Sequence, residues 1–223
     1  MMGTVEIISV GTELLIGKIP NTNAQWIAKR ATTLGLEVRR VTTVRDDVDE
    51  IAGAVREAAG RGPRFIVTTG GLGPTFDDRT LEGVARAFGV GMGVHEEALR
   101  MVREKYREYA ESGRMEGAEM TPHRVKMARL PEGASPLPNP VGTAPGVKME
   151  RGETTLIALP GVPPEMMAIF EGSVEPLFRE AAGNLTFFEA GAQVWGIAES
   201  ALAPLIDQAM HDNPLIYIKS HPK

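Results

Sequence analysis

The sequence predicts a three-layer α/β fold (α/β/α), in which a mostly parallel β-sheet lies between two layers of helices. Short runs rich in β-branched residues alternate along the chain with longer runs whose apolar residues recur at helical spacing. One short run, residues 65–67, is apolar throughout, as expected of a strand that is covered on both faces. Strands that alternate with helices in this way form parallel sheets wrapped by helices.

The first half of the chain supplies three strand–helix pairs. β-Branched residues are frequent in the predicted strands, which occupy residues 5–10, 38–44 and 65–67. Apolar residues three and four positions apart predict the helices, which occupy residues 26–34, 48–59 and 81–88. Gly35 and Gly89 follow the first and the last of these helices, where a glycine commonly ends a helix.

The second half of the chain is less regular. Residues 95–112 are charged and amphipathic, which predicts a long helix. Residues 131–146 are dense in proline and glycine, which predicts a loop. Residues 155–159 then favour a strand, and residues 164–178 favour a helix with a proline at its start.

The pattern changes after residue 183, where short runs that favour strands flank a helix at residues 200–210. We therefore predict one domain over residues 1–183 and the start of a small second α+β domain over residues 184–223. The second segment is shorter than most independent domains. We expect it to be incomplete or to pack on its neighbour.

Composition and charge exclude several classes of protein. The formal net charge is −5 and the isoelectric point is about 5.5, so the chain offers no basic surface for nucleic acid. Cysteine is absent, which excludes disulfides, thiolate zinc sites and cysteine nucleophiles. The first residues have no basic region, and no apolar run approaches the roughly 20 residues that span a bilayer, so we expect neither a signal peptide nor a membrane span. We expect a cytoplasmic protein that does not bind membranes.

The clearest chemical signal is in residues 68–80, Thr-Thr-Gly-Gly-Leu-Gly-Pro-Thr-Phe-Asp-Asp-Arg-Thr, between the third strand and a helix. Ligands of open parallel sheets bind beyond the carboxyl ends of the strands. Glycines at that place let backbone N–H groups approach an anion, and the N-terminus of the following helix favours negative charge. We therefore predict that a small phosphate-bearing ligand contacts Thr69, Gly70, Gly71, Leu72, Gly73 and Thr75.

Two aspartates follow these residues in the same segment. A carboxylate beside a phosphate would repel it unless a cation lies between them, and Mg²⁺ commonly bridges one or two carboxylates to phosphates. This predicts a catalytic and metal-binding role for Asp78, with Asp77 as a further metal ligand. The alternative is that the glycines only form tight turns while Asp78 or Thr80 caps the helix.

Two better-known phosphate motifs do not fit the sequence. Gly71 and Gly73 lack the third glycine of the dinucleotide-binding fingerprint. Residues 11–19 imitate a P-loop, but one residue too many separates the glycines, and Ile19 stands where the Mg²⁺-binding serine or threonine belongs.

Residues 68–80 resemble the glycine-rich signature of the MoaB/Mog superfamily of molybdopterin-binding domains. Further segments resemble the N-terminal domain of CinA (competence/damage-inducible protein A), a branch of that superfamily. These segments are residues 11–17 with Asn21-Thr22-Asn23, residues 139–146, residues 159–166, and Glu199-Ser200 with residues 219–223. They follow one another in order over nearly the whole chain.

The resemblance implies a three-layer α/β domain that forms dimers or trimers and binds molybdopterin or an adenine nucleotide. In Mog-like enzymes, an aspartate like Asp78 and one at the end of the second strand serve Mg²⁺-dependent adenylylation of molybdopterin. Asp46 matches the second aspartate by chain position, so the resemblance makes it a catalytic residue and a metal ligand. In CinA-like proteins, a similar domain is associated with Mg²⁺-dependent hydrolysis of ADP-ribose.

Three further residues are candidates for ligand contact. Asn139 and Gly142 belong to the segment rich in proline and glycine, which either contacts the edge of a pterin or base or serves as a rigid connector. Gly161 follows another strand, which places its backbone near the same rim of the sheet.

Three functions remain open from the sequence. They are a Mg²⁺-dependent phosphoanhydride hydrolase, a molybdopterin adenylyltransferase and a non-catalytic module that binds a nucleotide or a pterin. We favour the hydrolase, because residues 139–146 and 219–223 are CinA-like rather than Mog-like. The expected partners are a small phosphate-bearing molecule and further copies of the chain.

Overall fold

In the computed structural model of the protein, four parallel strands bring several loops with candidate residues to one edge of a sheet. The structure describes residues 3–183, 185 and 187–221. Residue 184, at the predicted domain boundary, and residues 222–223, in the CinA-like segment 219–223, lie outside the described residues. The chain divides into two units, Met1–Phe187 and Phe188–Lys223.

A six-stranded sheet is the centre of the first unit, and a two-stranded ribbon accompanies it. Their strands are β1 (Thr4–Val10), β2 (Glu37–Val44), β3 (Phe65–Thr69), β4 (Met92–Val94), β5 (Arg129–Pro131), β6 (Ala134–Leu137), β7 (Gly146–Arg151) and β8 (Thr154–Leu159). The order in the large sheet is β2-β1-β3-β8-β7-β6, and β4 pairs with β5 in the ribbon. The strands β2, β1, β3 and β8 run parallel, whereas β7 and β6 are antiparallel to their neighbours. The predicted mostly parallel sheet is confirmed.

Helices connect the strands. They are α1 (Thr12–Leu15), α2 (Thr22–Thr33), α3 (Val48–Gly60), α4 (Thr80–Phe88), α5 (Glu96–Glu111), α6 (Pro122–Lys126), α7 (Pro163–Ile169), α8 (Glu175–Ala182) and α9 (Glu199–Asp212). No helix in the described part of the chain has both the length and the apolar character needed to cross a membrane.

Each face of the large sheet has its own hydrophobic core. Side chains alternate along β1, so Ile7 belongs to one core and Ile8 to the other. Helices α3, α4 and α5 complete the core around Ile8. Helices α2, α7 and α8 complete the core around Ile7. The α/β/α layers predicted from the sequence are therefore confirmed.

One predicted helix is interrupted. The sequence predicts a single helix over residues 164–178, whereas a π-helical turn, Phe170–Val174, separates α7 from α8. Pro176 lies in the first turn of α8 and has no N–H group to donate to the preceding turn. The wider π turn accommodates the missing hydrogen bond.

The expected loop over residues 131–146 is wrong for part of that segment, because residues Ala134–Leu137 form strand β6 and pair with β7. Pro136 is compatible with this strand because β6 is the last strand in the sheet order. An edge strand leaves one side without ladder hydrogen bonds, so a residue without an N–H group is tolerated there.

The second unit contains α9, but the strands expected beside this helix are not formed in residues 187–221. A strand needs a neighbouring strand to pair its backbone N–H and C=O groups. The apolar residues that suggested strands are exposed instead, among them Phe188, Trp195 and Tyr217.

Two buried threonines near the carboxyl end of β3 provide a matched test of this packing. The Thr68 hydroxyl has no hydrogen-bond partner among the described residues, whereas the Thr80 hydroxyl donates to the Gly70 carbonyl at 2.7 Å. We expect Thr68→Val to stabilise the protein by about 1 kcal/mol, because it removes a buried polar group without a partner. Thr80→Val should destabilise it by about 1–3 kcal/mol, because it leaves the buried Gly70 carbonyl unpaired.

Denaturant unfolding of the two variants measures both changes. A loss of stability in Thr68→Val would contradict the structure, since it would mean that the hydroxyl has a partner.

Candidate functional site

The candidate site lies in the loop that joins β3 to α4, at the carboxyl edge of the parallel strands. The loop reverses direction at Gly70 and Gly71, whose φ angles are 106° and 65°. A Cβ atom at Gly70 would lie 2.1 Å from the Val10 carbonyl oxygen, and one at Gly71 would lie 2.4 Å from the Thr80 hydroxyl oxygen. Both positions therefore require glycine.

Thr80, the first residue of α4, closes this turn. Its backbone N–H donates to the Gly71 carbonyl at 3.1 Å, and its buried hydroxyl donates to the Gly70 carbonyl at 2.7 Å. Both carbonyl groups of the turn are thereby held by the start of the helix. These two hydrogen bonds fix the turn to the start of α4.

The backbone N–H groups of the turn are not equivalent. The N–H of Gly70 donates to the Leu159 carbonyl at 3.0 Å, so it is already used. By contrast, no hydrogen bond within residues 3–183, 185 and 187–221 uses the N–H groups of Gly71, Leu72 or Gly73. We predicted that the backbone of Gly70 contacts the ligand phosphate; the structure gives its N–H a role in the scaffold instead.

A cavity of about 360 Å³ opens beside these N–H groups. Its wall combines glycine backbone, apolar side chains and charged groups, namely Gly71, Leu72, Gly73, Asp78, Leu81, Glu82, Met92, Lys126, Met127 and Arg129. Four of the residues predicted from the sequence, Gly71, Leu72, Gly73 and Asp78, thus share one cavity of ordinary ligand-binding size.

Thr75 holds both aspartates of the loop. Its N–H and its hydroxyl lie 2.8 and 2.6 Å from Oδ2 of Asp78, and the same hydroxyl contacts Oδ1 of Asp77. A Cβ atom on Gly73 would lie 2.6 Å from Oδ2 of Asp78, so this carboxylate packs against the turn itself. Thr75 was predicted to contact the ligand, but its donors are used to position the carboxylates.

The Asp77 carboxylate is stabilised in its charged form. The hydroxyl of Thr75 makes the largest contribution, and the backbone N–H of Asp77 and the charge of Lys126 act in the same direction, so the pKa of Asp77 lies below its ordinary value. A lowered pKa keeps this side chain anionic into moderately acid solution, as a metal ligand requires.

Basic residues of α6 and β5 complete the site, and the sequence analysis missed them. Lys126 donates to the Thr75 carbonyl, and Nδ1 of His123 lies 3.4 Å from the Pro74 carbonyl oxygen. Lys126 and Arg129 line the cavity. Their positions about 50 residues downstream gave no sign of this proximity, although residues 123–129 are locally rich in basic side chains.

Thr69 and Gly161, two further candidates for ligand contact, form hydrogen bonds within the protein. The Thr69 hydroxyl donates to the Pro160 carbonyl at 3.1 Å and accepts from Asn23 at 3.0 Å. The Gly161 carbonyl also accepts from Asn23, at 2.9 Å. Neither Thr69 nor Gly161 lines the cavity. Their hydrogen bonds instead join the end of β3 to the loop after β8.

Asn139 and Gly142 form a connector rather than part of this cavity. The Asn139 amide nitrogen donates to the Ala144 carbonyl at 2.8 Å and to Glu165 at 2.7 Å. Its amide oxygen accepts from the N–H groups of Val141 and Gly142 at 3.0 and 2.8 Å. The side chain of Asn139 therefore holds its own loop and joins it to α7. Asn139 and Gly142 also line a separate cavity of about 150 Å³.

Asp46 does not join the other two aspartates. It follows β2, and its Oδ2 accepts from the N–H and the hydroxyl of Thr12 at 2.8 and 2.9 Å. In the sheet, β1 separates β2 from β3, a spacing of about 10 Å. In the described part of the chain, no three acidic or histidine side chains form a group that could hold a metal ion. The predicted metal-ligand set of Asp46, Asp77 and Asp78 is therefore not assembled.

Comparison with known proteins assigns the family. Residues 6–180 match the family described as a probable molybdopterin binding domain. The chain belongs to this family. The resemblance to the MoaB/Mog superfamily that the glycine-rich segment indicated is confirmed.

Relatives of this molybdopterin-binding domain match it over most of its length. A protein of Pyrobaculum arsenaticum is 50% identical over 100% of the chain and 81% of its own length. A protein of Aeropyrum pernix is 51% identical over 97% of the chain and 78% of its own length. The likeness therefore extends beyond the glycine-rich loop.

Solved structures share the fold of the domain. The protein CinA with unknown function from Thermoplasma acidophilum is 41% identical, with a TM-score of 0.71 over 79% of this chain and 98% of that one. The molybdopterin biosynthesis enzyme MoaB from Thermus thermophilus is 21% identical, with a TM-score of 0.52 over 83% of this chain and 100% of that one. The second likeness concerns the fold alone.

Removal of the Thr75 hydroxyl tests the electrostatics of the site. In Thr75→Val the pKa of Asp77 should rise toward its ordinary value, because the largest cause of its lowering is lost. A lowered pKa means that the contact stabilises the native protein above the ordinary pKa and that this contribution disappears as the pH falls through the lowered value.

NMR titration of the carboxyl carbons measures this change. Asp47 is an internal control, because its own pKa is lowered by the backbone N–H groups of Glu50 and Asp49, which the substitution leaves in place. An Asp77 pKa that does not move would contradict the assigned contact.

Proposed function

We propose that the chain binds a phosphate-bearing ligand, a nucleotide or molybdopterin, over the N–H groups of residues 71–73 and acts as a Mg²⁺-dependent phosphoanhydride hydrolase. One observation carries the proposal. Residues 71–73, whose backbone N–H groups have no partner in the described chain, line a cavity that Asp78, Glu82, Lys126 and Arg129 also line.

The turn has the properties of an anion site. Backbone N–H groups without protein partners gain a strong acceptor when a phosphate binds, and the N-terminus of α4 adds a favourable dipole. Lys126 and Arg129 supply positive charge in the same cavity. Asp78 and Glu82 line the same cavity and balance these two charges, so the N–H groups of residues 71–73 must supply much of the attraction for an anion.

The carboxylates suit Mg²⁺, which prefers oxygen ligands and usually takes one or two carboxylates together with phosphate oxygens and water. Asp77 and Asp78 lie side by side on Thr75, so these two residues would hold the ion. When bound, Mg²⁺ supplies charge neutralisation for the phosphates. The protein needs no third carboxylate for this, so the position of Asp46 does not conflict with the proposal.

Hydrolysis of a phosphoanhydride requires the site to stabilise negative charge on the transferring phosphate. The N–H groups of residues 71–73 and the ammonium of Lys126 are fixed before the ligand arrives, and fixed donors stabilise a developing charge most effectively. Attack by water would convert ADP-ribose into AMP and ribose phosphate. The CinA-like segments of the sequence favour this reaction.

The second candidate function is adenylylation of molybdopterin. It is favoured by the description of the family, which names molybdopterin. Pyrophosphate released from ATP only in the presence of a pterin would support this candidate over hydrolysis.

Asp78→Asn tests the hydrolase proposal. The substitution keeps the size of the side chain but removes its charge, so AMP release from ADP-ribose with Mg²⁺ should fall about 100-fold. The melting temperature should change little, since Asp78 is only half-buried. The matched control is Asp49→Asn on α3, which removes an exposed carboxylate paired with Arg86 and should retain full activity.

The protein is incubated with ADP-ribose and either Mg²⁺ or Mn²⁺, and the AMP released is measured by chromatography. Wild-type protein that releases none under either ion contradicts the hydrolase proposal. If such a protein nevertheless binds ADP-ribose, and Asp78→Asn binds it equally well without metal, the non-catalytic module is favoured.

A further inference from the structure

Asn23, in the first turn of α2, links two loops that follow different strands. Its amide nitrogen donates to the Thr69 hydroxyl oxygen at 3.0 Å and to the Gly161 carbonyl at 2.9 Å. Thr69 is the last residue of β3, and Gly161 follows β8. Both hydrogens of one amide are thus used to join the loops of two neighbouring strands.

The hydrogen bonds continue beyond Asn23. The Thr69 hydroxyl in turn donates a hydrogen bond to the Pro160 carbonyl at 3.1 Å. The Gly70 N–H, next along the chain, donates to the Leu159 carbonyl at 3.0 Å. A Cβ atom on Gly161 would lie 3.4 Å from the Cα of Gly70, so the two loops are almost in contact. Residues 159–161, at the end of β8 and in the loop after it, therefore pack against the glycine turn and hold it.

Stability alone does not account for an asparagine at this position. Its amide oxygen is buried and has no partner in the described residues, which costs free energy that an apolar side chain would not. If Asn23 is removed, the exposed Gly161 carbonyl is accessible to water, and Thr69 still donates to Pro160. The role of Asn23 is therefore to position the loops that follow β3 and β8.

We infer that Asn23 is a positioning residue for the proposed phosphate site. By fixing Thr69 and Gly161 it sets where the chain leaves β3, and thereby holds the N–H groups of residues 71–73 in the arrangement that receives the anion. The inference rests on the proposed function, because it concerns the shape of the same site. Asn23 itself does not line the cavity, so it would act through the two loops that it joins.

Two substitutions at Asn23 and one control variant test this role. Asn23→Ala removes both donors, and Asn23→Asp removes them while it keeps the shape of the side chain. The control is Asn21→Ala, two residues away, whose oxygen caps α2 by accepting from the Ala24 N–H. Asn21 also hydrogen-bonds to the hydroxyls of Ser9 and Thr43, so its loss destabilises the start of α2. None of its hydrogen bonds in the described residues reaches Thr69 or Gly161.

The measurements are AMP affinity with Mg²⁺ by calorimetry, melting temperature, and hydrogen exchange of the Gly70 amide. We expect both Asn23 variants to bind AMP at least tenfold more weakly, with faster exchange at Gly70 and a smaller loss of melting temperature than Asn21→Ala. Asn21→Ala should retain wild-type affinity. Asn23 variants that bind as tightly as wild type, or an Asn23→Asp that behaves as wild type, would overturn the inference.

Failure of the proposed function gives a different result. In that case, wild-type protein itself binds no AMP. The positioning role of Asn23 is then tested by hydrogen exchange of the Gly70 amide alone. An exchange rate in Asn23→Ala equal to that of wild type overturns it.

Discussion

A buried backbone N–H or C=O group must find a partner, and this constraint determines which part of the glycine loop is available to a ligand. Thr80 holds the carbonyl groups of Gly70 and Gly71, and Leu159 takes the Gly70 N–H. Asn23 fixes the residue before the turn. Once these bonds are made, the N–H groups of residues 71–73, which line the cavity, have no partner among the described residues and can serve an anion.

Charged side chains beside the turn show how an acidic protein could offer the proposed phosphate site. Asp78 packs against the turn because Thr75 holds it there, so a carboxylate stands where an anion is expected. Lys126 and Arg129 lie in the same cavity and offset part of that charge. Under the proposed function, a cation between carboxylate and phosphate would relieve the remaining repulsion, and ligand affinity would then depend on Mg²⁺.

The sequence predicted the layers, the parallel strands and the loop that carries the site, because these depend on local patterns of apolar residues and glycines. It could not predict which donors were already used, since Pro160 and Leu159, the partners of Thr69 and Gly70, lie far along the chain, and Asn139 also reaches Glu165. Lys126 was missed because its approach to Thr75 arises only in the folded chain. Asp46 was assigned by chain position, but it turns toward Thr12. The π turn before Pro176 reflects a missing N–H group that periodicity does not reveal.

An NMR titration of ¹⁵N-labelled protein with AMP and Mg²⁺ would show whether the N–H groups of residues 71–73 receive the phosphate. We expect large shifts for the amide signals of Gly71, Leu72 and Gly73, and much smaller shifts for Gly70, whose N–H is held by Leu159. Shifts centred on Val141 and Gly142, with the glycine turn unaffected, would refute the proposed site.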